Sequence, residues 1–101
     1  MTQKKITPEE AREMITQNNA AKNFVILDVR TPEEFAEEHL EKALNINIKD
    51  HSFLEKIKVL DITKTYLIHC HSGSRAARAA TLMDELGFKK VFTVEGCMFE
   101  E

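Results

Sequence analysis

Residues Ile68 to Arg75 read Ile-His-Cys-His-Ser-Gly-Ser-Arg, an apolar run ending in a cysteine, a short polar tract and an arginine that opens an alanine-rich stretch. A cysteine at the end of a buried strand, followed by a loop that becomes a helix start, lies among unpaired backbone N–H groups and the positive end of a helix dipole. Both favour thiolate over thiol and draw an anionic substrate alongside. The thiolate is the nucleophilic form, so Cys70 is the candidate nucleophile, and His71, Ser72, Gly73, Ser74 and Arg75 form the candidate cradle. Such a cradle suits two electrophiles, a sulfur atom or a phosphoryl group.

The elements that must position this loop alternate along the chain. Thr7-Pro8-Glu9-Glu10 reads as a capping box for a helix turning Ala11, Met14 and Ile15 inward, and Thr31-Pro32-Glu33-Glu34 repeats the signature before a short helix carrying Phe35. The near-continuous apolar run from Phe24 to Val29 suggests a strand buried on both faces, as in a parallel sheet. Leu44, Ile46 and Ile48 alternate as a half-buried strand, and 52–60 reads as a helix with Phe53, Leu54 and Ile57 on one face. A strand over 65–69 leads into the cysteine loop. Arg75 to Leu86 is the firmest helix, small on its inner face, with Gly87 suited to the left-handed position past its end. Val91 to Val94 makes a last strand. Strands separated by helices imply right-handed crossovers and an α/β fold: a mostly parallel central sheet of about five strands with helices on both faces. Ligands of such sheets lie beyond the carboxyl ends of the strands, where Cys70 falls.

The chain has 101 residues, enough for one domain over 1–101 with one core. With 43% hydrophobic and 31% charged residues it reads as a folded protein, and no apolar stretch nears the roughly 20 residues of a membrane span. A net charge of −3 argues against a general nucleic-acid binder, whose affinity rests on clustered Lys and Arg. Glu33, Glu34, Glu37, Glu38 and Glu41 read as a solvated helix face. The two cysteines, Cys70 and Cys97, make neither a disulfide framework nor a zinc ribbon, and the first five residues lack a hydrophobic signal region. A reducing, cytoplasmic setting is the expectation. His69-Cys70-His71 could suggest zinc, but adjacent side chains diverge and no further ligand cluster is evident, so neither metal nor cofactor is expected.

Asp28-Val29-Arg30, Glu34-Phe35, His39-Leu40 and Ala43 leading to Asn45-Ile46 make one set of motifs. Cys70 to Arg75 running into Ala76-Ala77, then Leu86-Gly87-Phe88, Val91 and Glu95-Gly96, make a second. In order and spacing these resemble the single-domain rhodanese-like (thiosulfate sulfurtransferase-like) family over nearly the whole chain. The loop length then separates the two electrophiles. Cysteine-dependent phosphatases resemble the segment, even to the His-Cys pair, but place one residue more between cysteine and arginine, whereas here there are four. The shorter ring suits one sulfane sulfur, with phosphatase or arsenate reductase chemistry as the alternative.

The resemblance implies a sulfurtransferase that carries sulfur as a Cys70 persulfide from thiosulfate or a persulfide donor to cyanide, a thiol or a protein thiol. Backbone N–H groups of His71 through Arg75 would hold the anion, with Gly73 supplying a positive φ and Ser72 and Ser74 adding hydroxyl donors. Arg75 either binds the donor or pairs with a carboxylate. Asp28 and Arg30 are expected to organise the strand end, with Glu34 as partner of Arg30 and His39 capping or packing the turn after its helix. His71 stands where some relatives carry arginine, which implies a preference for a persulfide over thiosulfate above neutral pH. The sequence departs from the family pattern in three places. Lys42 replaces a common glycine, implying ordinary backbone angles in that turn; Cys97 replaces the second glycine of a pair and is a candidate resolving thiol; and the customary tryptophan and tail are absent, implying a more open pocket. The rival class is a non-catalytic or partner-dependent sulfur-carrier module.

Overall fold

The computed structural model describes residues 3–18, 20–71, 73–96 and 98–99. The elements are β1 (Gln3–Ile6), α1 (Pro8–Gln17), β2 (Phe24–Asp28), α2 (Pro32–Glu37), β3 (Leu44–Asn45), α3 (Phe53–Lys58), β4 (Thr65–His69), α4 (Ser74–Glu85) and β5 (Lys90–Val94). They build a five-stranded sheet in the order β1-β5-β4-β2-β3, every neighbouring pair parallel. From β2 the chain steps out to β3 at one edge, then returns to lay β4 on the other side of β2. The order reverses between β2 and β4, which opens a crevice at their carboxyl ends.

Side-chain alternation divides the core in two. On one face Leu27, Tyr66, Ile68 and Val91 meet Phe53 and Ile57 of α3 and Ala76, Ala79, Ala80 and Met83 of α4. On the other Ile6, Leu67 and Val94 meet Ala11 of α1, flanked by Met14 and Ile15. The alanines let α4 approach the sheet closely. Both capping boxes form: Thr7 Oγ1 accepts the Glu10 N–H while Glu10 accepts that of Thr7, and Thr31 and Glu34 repeat the exchange. Past α4, Gly87 takes φ +92°, as a left-handed helix stop requires.

Four expectations need correction. β1, which the sequence pattern did not reveal, is an edge strand whose Lys4 and Lys5 face solvent and whose Ile6 joins the core. The strand expected over Leu44, Ile46 and Ile48 shortens to β3, and Leu44 is 41% exposed, because β3 is itself an edge. Beyond it the Ile46 and Ile48 N–H groups still donate to Asp28 and Val29 at 2.9 and 3.2 Å, but irregularly. α3 covers less than 52–60, and Leu54, one residue out of the Phe53–Ile57 stripe, turns outward. Lys42 does not have ordinary angles: its φ is +70° in the turn that Ala43 N–H closes on the Leu40 carbonyl. The chain keeps the left-handed turn without the glycine that would relieve it.

Candidate active site

Cys70 follows the last residue of β4 and is wholly buried. Its side chain shares the face of Ile68, so the sulfur lies beneath the first turn of α4. Gly73 N–H donates to Sγ at 3.0 Å and Ala76 N–H at 3.2 Å. Both bonds follow from local structure. Gly73 is the N-cap of α4 at φ +95°, a conformation that closes the ring tightly and that a side chain resists. Ala76 is the third residue of α4, so its N–H has no carbonyl partner within the helix. Two N–H dipoles aimed at one sulfur favour the anionic form of that sulfur.

Ala76 was not among the residues expected from sequence. The helix begins one residue earlier than its alanine pattern suggested, at Ser74, and Ala76 lies among its unpaired N-terminal donors with either start. Ser74 is the exposed first residue of α4 and His71 is exposed. Ser72 and Cys97 lie outside the described residues, so the expected hydroxyl donor and resolving thiol have no structural placement here.

Arg75 turns to Glu34. Its guanidinium donates to Glu34 Oε1 at 2.8 Å and Oε2 at 3.1 Å, a bidentate pair joining the start of α4 to the first turn of α2. Glu34 Oε1 also accepts the Thr31 N–H at 2.9 Å. The bonds from Arg75, then those from Thr31, hold the Glu34 carboxyl down at about 2, and Glu34 in turn holds Arg75 in its charged form. The expected pairing of Glu34 with Arg30 is therefore wrong. Arg30 instead clasps Asp28, with Nε at 3.0 Å from Oδ1 and Nη2 at 2.8 Å from Oδ2, and also donates to the Glu38 carbonyl. Burial pushes the Asp28 carboxyl up, and the facing His69 and Arg30 side chains more than offset it, leaving it below its ordinary value. Asn45 bonds the carbonyls of Asp28 and Arg30 at 3.0 Å each, so this cluster fixes the end of β2 beside that of β4. His39 donates to the Phe35 carbonyl at 2.7 Å and stacks on the Phe35 ring, closing α2 as expected.

Among the described residues no three His, Cys, Asp or Glu side chains converge as metal ligands. No helix among them is long and apolar enough to cross a membrane. The arrangement can present a polarised sulfur nucleophile at the switch point of a parallel sheet, held by two backbone donors.

A parallel α/β sheet with that loop defines a class. The model of the rhodanese-like domain matches residues 7–100, and the chain belongs to the rhodanese-like family. Among its relatives, thiosulfate sulfurtransferase GlpE of Haemophilus influenzae (strain 86-028NP) is 30% identical over 96 residues, covering 95% of this chain and 85% of that protein. GlpE of Pseudomonas syringae pv. syringae (strain B728a) is 29% identical over 93 residues, covering 92% and 81%. The crystal structure of a rhodanese-like domain protein from Staphylococcus aureus superposes with a TM-score of 0.79 at 27% identity, covering 94% of this chain and 87% of the other.

Proposed function

We propose that this chain is a sulfurtransferase that moves a sulfane sulfur from thiosulfate or a persulfide to a thiophilic acceptor through a persulfide on Cys70. The observation that carries this reading is the pair of N–H groups, from Gly73 and Ala76, directed at Sγ. The Cys70 thiolate attacks the outer sulfur of thiosulfate, the S–S bond to the sulfonate breaks, and sulfite leaves with the electron pair. Cys70 then carries a persulfide anion. Cyanide or a thiolate attacks its outer sulfur, takes it as thiocyanate or a new persulfide, and returns the Cys70 thiolate, so no external oxidant or reductant is consumed. The donors that hold the thiolate would remain on Sγ in the persulfide, whose charge sits on the outer sulfur.

Arg75 in the loop and Arg30 at the neighbouring strand end are already engaged. Arg75 pairs with Glu34 and Arg30 with Asp28, and the exposed His71 is a side chain of the loop itself that can add positive charge at the mouth. That supports a persulfide donor over the thiosulfate dianion once the imidazole is neutral. Thiocyanate formation from cyanide, measured with each donor from about pH 6 to about pH 9, tests both points. The expected result is turnover lost in Cys70→Ser, with the thiosulfate rate falling relative to the persulfide rate above neutrality. A thiosulfate rate that stays flat across this range contradicts the donor preference. Hydrolysis of p-nitrophenyl phosphate that depends on Cys70 contradicts the reaction class. A carrier module would share the Cys70 chemistry and differ only in taking and giving sulfur through docked proteins.

A further inference from the structure

His69 ends β4 and takes no part in the sulfur chemistry above. It is wholly buried, and alternation along the strand puts its ring on the α1 side of the sheet, opposite Cys70. Nε2 accepts the Met98 N–H at 3.3 Å, and the ring meets Phe99 edge-on at 5.1 Å. At the other end Nδ1 faces Asp28 Oδ2 at 3.8 Å, beyond hydrogen-bond reach, and has no bonding partner among the described residues. Arg12 of α1 donates to the Met98 carbonyl at 3.3 Å, and the Arg30 guanidinium lies 5.0 Å over the Phe99 ring. Both backbone polar groups of Met98 are thus held by side chains, the N–H by His69. Two residues earlier the chain abuts the cysteine loop, since a Cβ on Gly73 would stand 3.4 Å from Gly96 N.

We infer that His69 is a positioning residue: with Nε2 unprotonated it latches Met98 and Phe99, and through them holds Gly96 against the Cys70 loop, and a second proton on the ring releases the latch. The tautomer follows from the bond. Met98 N–H is a donor, so Nε2 must present its lone pair and the single ring proton sits on Nδ1, toward Asp28. Protonating Nε2 sets two N–H groups head to head. The charged groups facing this cluster are Asp28 from β2, Arg30 just past it and Arg12 from α1. The inference rests on Cys70 as the reactive thiol, so its test reads the Met98 amide and the accessibility of the thiol instead of sulfur transfer.

On the full chain, Met98 amide exchange corrected for its intrinsic rate and iodoacetamide alkylation of the peptide carrying Cys70 are followed at about pH 5.5 and about pH 8. In the wild type, opening of the Met98 amide is expected to rise about tenfold on acidification, the scale of a lost bond to a buried donor. His69→Gln, whose side-chain oxygen accepts the same N–H without titrating, is expected to protect Met98 at both pH values. His69→Phe is expected to expose it at both. The ratio of wild-type to His69→Gln alkylation rates, in which the thiol's own titration cancels, is expected to be about threefold higher at the lower pH, a part of the amide response. A pH response that persists in His69→Gln, or wild-type protection of Met98 in His69→Phe, overturns the latch. The wild-type titration needs no substitution, so a flat profile there overturns it even if a variant fails to fold. Normal sulfur loading alongside a failed latch would leave the proposed reaction standing, and lost loading with an intact latch would overturn the reaction while the latch stands.

Discussion

Glu34 decides what Arg75 can do. A guanidinium bound through two donors to one carboxylate is oriented and neutralised before any substrate arrives, so Arg75 serves first to fix α4 over Cys70. The folded Glu34 carboxyl sits at about 2, below its ordinary 4.5, so the pair adds stability that is complete above 4.5 and disappears as pH falls toward 2. Glu34→Gln should lack this component. Urea unfolding as a function of pH should show the wild type converging on the variant between those values, with a gap of about 1 kcal/mol or less at neutral pH because the pair is partly exposed and screened. Parallel curves would contradict the assignment. The sequence pointed to Glu34 as an arginine's partner but chose the wrong arginine. Arg30 is four residues away, whereas the start of α2 carries Glu34 to Arg75 across 41 residues of chain. A pairing of that separation depends on where two helix starts converge, which local pattern does not encode.

The loop and its flanking elements were mostly legible, because their signals are local. Both Thr-Pro-Glu-Glu capping boxes, β4 as Thr65–His69, and the glycine that closes the loop follow from residue types within a few positions. What escaped were the edges of the sheet. β1 contributes one buried apolar side chain and β3 spans two residues, so neither has enough periodicity to announce a strand. Ala76 as a donor escaped for a different reason: a small apolar residue on the inner face of a helix reads as packing, whereas its role rests on its backbone N–H. Gly73 gives the direct test of the loop. Its φ of +95° would strain any L residue, so Gly73→Ala should cost about 1–2 kcal/mol in urea unfolding and slow the modification of Cys70. An alanine variant with unchanged stability and unchanged thiol reactivity would show that the ring does not need this conformation.

In the molecule as a whole, the sheet order explains why the Cys70 loop is where it is. The strand order reverses between β2 and β4, α3 and α4 cover the face that Cys70 looks onto, and Asp28, Arg30 and Asn45 hold the neighbouring strand end. The sulfur rests on the same core that supports α4, but Met83 lies two turns along the helix from the donors to Sγ. Met83→Ala, in the wholly buried inner face of α4, should cost about 2–5 kcal/mol and leave the persulfide chemistry of the folded fraction intact. Calorimetry with active-site titration would separate the two effects, and a loss of chemistry without a loss of stability would contradict them. The proposed reaction stands or falls on whether Cys70 carries the transferred sulfur. Intact mass after incubation with thiosulfate or with a persulfide donor reads that directly. The expected result is a gain of one sulfur atom in the wild type, removed by cyanide and absent in Cys70→Ser. No gain with either donor in folded, reduced protein, or a gain that persists in Cys70→Ser, would contradict it.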